Sequence, residues 1–202
     1  MDASSQIATT EKSKAGRRRM PARFLRDRSG ATAIEFAALA IPFALLVFAI
    51  LESCISFAAQ EVMANATDGV ARQLRTGQLK KGTVSEQNLK DAICGELSVL
   101  AGSDCNSRLS VDLRNFTTFA DAAKVGFTIT NGAVGLTKTN NGSTSADTFK
   151  FDPGGSGTKN MLRVFYRWPV MTDFLARSMA NLNGGATLHF TSTTWQNEPF
   201  DD

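Results

Sequence analysis

The sequence is poor in the residues that build most catalytic and metal centres. Among its 202 residues there is one histidine, His189, and there are three cysteines, at spacings that match no metal-binding pattern. No pair of carboxylates and no nucleophile with a neighbouring base stands out. His189 alternates with threonines in a strand-like segment, where we expect it to face solvent. The sequence therefore predicts a protein that is not an enzyme and that uses no cofactor and no metal.

Charge is missing from one long stretch near the N-terminus. Residues 36–51 form a run of sixteen residues without a charged side chain, and in the wider segment 31–58 only Glu35 and Glu52 are charged. At about 1.5 Å of rise per residue, segment 31–58 makes about 42 Å of helix, enough to cross a hydrocarbon core of about 30 Å. We predict three parts: a basic leader over 1–30, a transmembrane helix over 31–58 and a soluble domain over 59–202.

The basic residues are concentrated in the leader. Residues 1–30 hold eight lysines and arginines against three acidic residues, a net charge of +5, so the remaining 172 residues sum to 3 − 5 = −2. Cations beside an apolar segment are typical of the cytoplasmic flank of a membrane helix. We therefore expect a single-pass inner-membrane protein with a cytoplasmic N-terminus and a periplasmic domain, and no nucleic-acid partner.

Glu35 is an unusual residue for a plain membrane anchor. A carboxylate at the centre of a spanning helix costs about 2.5–3.5 kcal/mol, so such residues usually have a partner or a function. The alternative is that Glu35 lies just inside the cytoplasmic edge of the membrane and reaches headgroup water. The residues alone leave both interpretations open.

The sequence around Glu35 resembles the prepilin cleavage signature of type IV pilin-like proteins. In the heptapeptide GATAIEF, residues 30–36, a glycine precedes the cut, a glutamate is the fifth residue after it, and an aromatic residue follows. The longer string RDRSGATAIEFAALAIPFALL is similar to the TadE-like pseudopilins of tight-adherence pilus systems. Two C-terminal stretches are also similar to that family: LRVFYRWP at 162–169 and QNEPF at 196–200.

This resemblance implies a minor pilin or pseudopilin that takes part in pilus assembly. It places the prepilin peptidase cut between Gly30 and Ala31, pairs Glu35 with the new amine of Ala31 on a neighbouring subunit, and puts Phe36 in the same assembly segment. The implied partners are other pilins and pseudopilins, the prepilin peptidase, the inner-membrane assembly platform and the lipid bilayer. Phe36 replaces the tyrosine common in major pilins, and the mature length of 202 − 30 = 172 residues exceeds theirs. An accessory subunit is therefore favoured.

Two other fates of the N-terminus stay open. In one, the segment is an uncleaved signal anchor, and the protein is a membrane-anchored periplasmic binding or sensing module. In the other, a secretory peptidase cuts after Ser56-Phe57-Ala58. Against the secretory cut, the leader is longer than a signal-peptide n-region and Glu52 interrupts the approach to the site.

The rest of the chain predicts an α+β fold, with a mainly antiparallel sheet packed on helices as in pilins. Helical spacing continues from the membrane segment to a stop at Gly77, and a second helix over 84–101 begins at a capping box of Thr83 and Glu86. A third helix is expected within 171–182. Segment 131–159, rich in glycine, asparagine, serine and threonine, predicts a long hairpin or a mobile loop. Alternating residues predict strands at 108–114, 125–130, 162–168 and 186–190, and we expect the strand at 162–168 to be central in its sheet.

The cysteines allow one disulfide. Cys94 and Cys105 are eleven positions apart across a turn, and in an oxidising periplasm a bond between them contributes about 2–3 kcal/mol. Two free thiols are the alternative. Cys54, near the outer end of the membrane helix, is expected to be a small buried hydrophobe.

Overall fold

The computed structural model describes residues 30–201, apart from the side chain of Phe174. The predicted leader therefore lies outside the described residues, except for Gly30. The chain divides into two units, one ending at Val47 and the other beginning at Phe48. This boundary falls within the segment predicted to span a membrane, and each unit is described by itself.

The first unit contains the beginning of helix α1, which spans Ala31–Arg75. Pro42 lies inside α1 and does not end it. From Ala31 to Val47 the side chains are exposed, apart from the partly exposed Ala40. By length and composition, α1 is the one helix among residues 30–201 that could cross a membrane, and none of its most apolar window is buried. This finding agrees with the predicted single-pass anchor.

The second unit contains the remainder of α1 and ten further elements in an α+β arrangement. Four more helices follow α1: α2 (Glu86–Ala101), α3 (Cys105–Arg108), α4 (Phe119–Ala122) and α5 (Asp173–Met179). The six strands are β1 (Leu109–Phe116), β2 (Val125–Thr130), β3 (Ala133–Asn140), β4 (Ser143–Asp147), β5 (Lys159–Pro169) and β6 (Ala186–Gln196).

The outer part of α1 buries one face against the folded domain. Residues of this face recur every three or four positions, the spacing of one side of a helix. We call it the docked face, and its members are Glu52, Ser56, Ala59, Met63, Ala66, Thr67, Val70, Ala71 and Leu74. Its apolar residues share one core with Leu89, Ile93 and Leu97 of α2 and with the inward residues of β1 and β5.

All strand pairing is antiparallel, in two sheets of three strands each. The first sheet has the order β1-β5-β6, with β5 in the centre as the sequence predicts. The second has the order β2-β3-β4. Alternate residues of β5, from Leu162 to Trp168, belong to the core shared with α1 and α2. On the opposite side of β5, Phe165 contacts Phe127 of the second sheet, with ring centroids 5.3 Å apart. The α+β class with antiparallel sheets is confirmed.

Residues 133–147 of segment 131–159 form the hairpin of β3 and β4, and residues 148–158 connect β4 to β5. Two Asn-Gly pairs make the turns of this segment, Asn131-Gly132 between β2 and β3 and Asn141-Gly142 between β3 and β4, and all four residues have positive φ angles. Asparagine and glycine tolerate that conformation, and such pairs are typical of two-residue hairpin turns. Of the two alternatives that the composition left, the hairpin is the one observed.

The predicted start of α2 is wrong by two residues. Ser85, and not Thr83, caps the helix by accepting a hydrogen bond from the amide of Asn88 at 3.1 Å. The Thr83 hydroxyl donates to the carbonyl of Lys80 at 3.0 Å, and Glu86 pairs with Lys90 at 2.6 Å. The two groups of the expected capping box are therefore engaged elsewhere.

Candidate functional site

The predicted cleavage junction lies at the open end of α1. Gly30 occupies a turn just before the helix, and its carbonyl accepts the amide hydrogen of Ile34 at 3.2 Å. Gly30 and Ala31 are both exposed. A Cβ atom added at Gly30 would have no other atom within 4 Å. The peptide bond between the two residues is therefore accessible from outside the chain.

Glu35 lies one helical turn after Ala31 and is exposed. Within residues 30–201 no hydrogen bond or ion pair is made by its carboxylate. Phe36 beside it is 74% exposed. Within the described part of the chain, Glu35 therefore has no polar partner and Phe36 is not buried.

Glu52, at the other end of the uncharged run, has the opposite environment. It is 7% exposed, and its Oε1 accepts hydrogen bonds from the amides of Met171 and Thr172, the latter at 3.3 Å. Its Oε2 accepts the Thr172 hydroxyl at 2.7 Å. Glu52 therefore fastens α1 to the loop before α5. In the sequence, Glu52 stands out only as a charge near the end of an apolar run, and its contacts with this loop were not predicted.

His189 is buried, and the expectation that it faces solvent is wrong. It is 5% exposed, and its Nε2 lies 3.0 Å from the hydroxyl oxygen of Ser56 on the docked face. Its ring stacks on Trp168 with centroids 5.3 Å apart and planes inclined by 10°. Burial lowers the pKa of His189 to about 4, so the imidazole is neutral at pH 7.

The contact of Ser56 with His189 does not build a catalytic centre. A serine nucleophile needs a histidine that a third group orients, and it needs access for the substrate. Here Nδ1 of His189 is buried and has no hydrogen-bond partner in the described part of the chain, so no carboxylate there orients the ring. Both side chains are almost fully buried between α1 and β6. The pair acts as a polar contact within the docked face.

No group of three or more histidine, cysteine, aspartate or glutamate side chains in the described part of the chain is arranged to hold a metal ion. Cys94 and Cys105 are joined by a disulfide, with Cα atoms 5.7 Å apart, which links α2 to α3. Cys54 is exposed on α1, and the expectation of a buried residue is wrong. It lies between Glu52 and Ser56 in sequence but outside the docked face.

The LRVFYRWP stretch forms β5, and its first arginine joins the two sheets. Arg163 binds Asp112 of β1 at 2.7 Å and donates to the carbonyl of Gly126 in β2 at 3.1 Å. Asp112 also accepts from Arg114 at 2.9 Å, and Arg114 binds Asp147 of β4 at 2.5 Å. The hydrogen bond from Arg114 is the main cause that lowers the pKa of Asp147 to about 2. We call these four residues the inter-sheet charge network.

The QNEPF stretch fastens the end of the chain to the outer end of α1. Asn197 is 4% exposed, and its side chain accepts from the indole N–H of Trp195 at 2.7 Å. The same side chain donates to the carbonyls of Gly154 and Gly155 at 3.1 and 2.9 Å. Each polar group of the asparagine amide is therefore paired. We call residues 197–201 the C-terminal clasp.

The rest of the clasp reaches α1 and the turn after it. Glu198 donates its amide to the carbonyl of Arg75 at 2.9 Å and pairs with the Arg75 guanidinium at 3.1 Å. Phe200 packs on Gly77, where an added Cβ would lie 2.6 Å from the ring. Gly77 also has a φ of 72°, which favours glycine. Both C-terminal stretches therefore have structural roles.

Comparison with known proteins gives a family match for the N-terminal segment of the chain. The family model described as TadE-like protein matches residues 30–72. The match begins at Gly30, includes Glu35 and ends three residues before the end of α1. No curated protein and no solved structure matches the chain significantly. The resemblance inferred from the N-terminal residues is confirmed over residues 30–72.

Proposed function

We propose that this TadE-like protein is a minor pilin or pseudopilin that takes part in assembling a tight-adherence type IV pilus in the inner membrane. The observation that carries the proposal is the position of the family match. It covers the glycine junction, Glu35 and the apolar helix together, the three features that a prepilin peptidase and a pilin assembly platform would need. The protein acts as a structural subunit and not as an enzyme.

The proposed membrane arrangement has α1 as the anchor, a cytoplasmic leader and a periplasmic domain. Exposed apolar side chains along the first part of α1 support insertion into lipid. The Cys94–Cys105 disulfide suits an oxidising compartment. The proposed leader is 1–30, the proposed transmembrane helix is 31–58 and the proposed periplasmic domain is 59–202. The docked face begins at Glu52, so the last two turns of the proposed span also carry contacts of the folded domain.

We place the cut after Gly30, because the accessible junction supports that position better than the secretory alternative. A cut after Ala58 would remove Glu52 and Ser56 from the domain. The amides of residues 171 and 172 and the imidazole of His189 would then lose the partners they have on α1. Buried polar groups without partners are costly, so a domain starting at Ala59 would be less stable.

In the proposed assembly, Glu35 of one subunit pairs with the amine of Ala31 that the cut creates on its neighbour. Glu35 has no partner among residues 30–201, which supports a partner from another chain. Phe36, which is 74% exposed, would pack on neighbouring apolar helices. The proposed partners are the other pilins and pseudopilins of the system, the prepilin peptidase and the assembly platform.

The test is the N-terminus of the protein isolated from membranes, read by intact mass with and without a prepilin peptidase. We expect a chain that starts at Ala31 only when the peptidase is present. Gly30→Leu should block the cut, and the open space around Gly30 gives no structural reason for misfolding. Gly69→Leu is the matched control, since Gly69 also has no atom within 4 Å of an added Cβ, and it should be cut normally.

Two results would reject this function. An intact Met1 in the presence of the peptidase would leave an uncleaved anchor and favour the binding or sensing module. A start at Ala59 would mean that a secretory peptidase releases the domain into the periplasm.

A further inference from the structure

The loop before α5 is bound to α1 at Glu52, the position where the uncharged run ends. Residues 36–51 carry no charge, and Glu52 is the first charged residue after them. The carboxylate of Glu52 binds the amides of Met171 and Thr172 and the Thr172 hydroxyl. If α1 spans the bilayer as proposed, this loop lies beside the outer edge of the hydrocarbon.

Met171 exposes an apolar side chain at this position. It is 65% exposed, and outside α1 the one other large apolar side chain in the described part of the chain with more than half of its surface exposed is Val99. Single exposed apolar residues are common on the surfaces of soluble proteins, so the exposure of Met171 alone does not indicate a contact surface. The position of Met171, one residue from the Thr172 contact with Glu52, is what distinguishes it.

Hydrogen bonds on both sides of Met171 hold the backbone of this loop. The amide of Val170 donates to the carbonyl of Gly185 at 3.1 Å. The hydroxyl of Thr172 caps α5 by accepting from the amide of Leu175 at 3.4 Å. With Glu52 on α1, the loop has partners on α1, in α5 and in the turn before β6, which together hold its backbone in place.

Two arginines lie near the same end of the domain. Arg177 is exposed in the last turn of α5, and Arg167 is exposed two residues before β5 ends. Arg167 also donates to the carbonyl of Asn183 at 3.0 Å. The carboxylates of Asp173 and Glu52 balance the two arginines in number, but Glu52 is buried, so the exposed charges among these four are two arginines and one aspartate. Long cationic side chains beside an apolar residue suit the phosphate layer of a membrane surface.

We propose that Met171 and α5 form a second membrane contact, resting on the phospholipid headgroup region on the periplasmic side. The occupant of this surface is the bilayer that α1 crosses, and the inference therefore rests on the proposed membrane-spanning role of α1. The domain then meets the membrane at two places, through α1 and through the loop that Glu52 fixes.

The test uses the full chain in liposomes of phosphatidylcholine and phosphatidylglycerol, with Cys54→Ser and the native disulfide intact. Single cysteines replace Met171, Phe48 or Gln73 and carry an environment-sensitive fluorophore. Met171→Cys keeps the backbone amide that binds Glu52. Gln73→Cys is the water-exposed control, because it lies 21 residues beyond Glu52 on the same helix, about 31 Å at 1.5 Å per residue. Phe48→Cys reports insertion of α1.

We expect the label at 171 to shift to the blue and to lose fluorescence when lipids with a nitroxide headgroup are added, while the label at 73 does neither. If label 48 is quenched by nitroxides on the acyl chains and label 171 behaves like label 73, the membrane contact is wrong and the anchor stands. If label 48 is not quenched either, both the contact and the proposed anchor are wrong.

Discussion

At the scale of single residues, the burial of His189 makes the stability of the domain depend on pH. Its ring is buried against Trp168 and contacts Ser56, and among residues 30–201 its Nδ1 atom has no hydrogen-bond partner. Burial lowers its pKa to about 4 from the ordinary value of 6.5. The folded state therefore holds the neutral form over a pH range in which the unfolded chain binds a proton.

This difference predicts that the domain loses stability as pH falls. The contribution of His189 is fully present above pH 6.5 and decreases as pH falls toward 4, because the unfolded state binds more protons there. Between pH 7 and pH 5 the free energy of unfolding should fall by about 1–2 kcal/mol. Denaturant titrations of the full chain in detergent, followed by circular dichroism, measure this change.

His189→Gln is the control, since glutamine does not titrate in this range. Its stability should be nearly constant between pH 7 and pH 5, whatever its absolute value. A wild-type curve as flat as that of the variant would show that His189 is not held neutral by the fold.

At the scale of elements, the C-terminal clasp shows which contacts stabilise the packing of α1. Asn197 satisfies three polar groups, the indole N–H of Trp195 and two carbonyls of the turn at 154–155. Glu198 makes an ion pair with Arg75 in which both side chains are half exposed. Buried hydrogen bonds are costly to break, whereas exposed ion pairs contribute little.

The two neighbours should therefore differ sharply when each is replaced by alanine. Asn197→Ala should lower the free energy of unfolding by about 2–4 kcal/mol, because each buried group left without a partner costs about 1–3 kcal/mol. Glu198→Ala should lower it by less than about 1 kcal/mol. Urea denaturation of both variants at pH 7 measures the difference, and equal effects would mean that the clasp acts through charge.

The sequence predicted the elements whose residues alternate between a covered and an open face. β2 has the predicted limits, and β5 lies in the centre of its sheet as expected. Strands β3 and β4 were predicted only as one of two alternatives, a long hairpin or a mobile loop, because most of their positions are exposed or partly exposed and give no clear periodic signal. The two Asn-Gly pairs at their ends were the available signal.

The errors at His189 and Glu52 have one physical cause. Alternation along a strand separates two faces and does not show what covers each of them. The first sheet has apolar helices on one side and the second sheet on the other, so a polar residue of β6 can lie against α1. The partners of both residues are more than 100 positions away in the sequence, and local patterns carry no information on them.

At the scale of the whole molecule, the uncharged run is bounded by two carboxylates with different environments. Glu52 is satisfied within its own chain, whereas Glu35 has no partner among the described residues. A residue that the fold already satisfies is expected to act in stability. A residue without a partner within an apolar segment is expected to act in assembly, and for Glu35 this role stays a prediction from the N-terminal motif.

Glu35→Ala should therefore leave insertion and folding unchanged and abolish incorporation into the pilus or pilus formation. The reason is that the substitution removes the proposed partner of the Ala31 amine and no contact within residues 30–201. Membrane fractionation, thermal melting and electron microscopy of surface filaments measure the three properties. Glu61→Ala is the control, because Glu61 is exposed on the same helix beyond the uncharged run, and it should assemble normally. Normal piliation in the Glu35 variant would refute the role.

The contacts of the C-terminal clasp also limit where a fusion or an epitope can be attached to the protein. Phe200 packs on Gly77, and the carbonyl of Asp201 accepts a hydrogen bond from the ammonium group of Lys80, so a fusion at the C-terminus would pull on contacts that hold α1. The turn at Asn141-Gly142 is exposed and joins two strands with mostly polar surfaces. An epitope inserted there would mark the protein on cells while leaving both ends of α1 as they are.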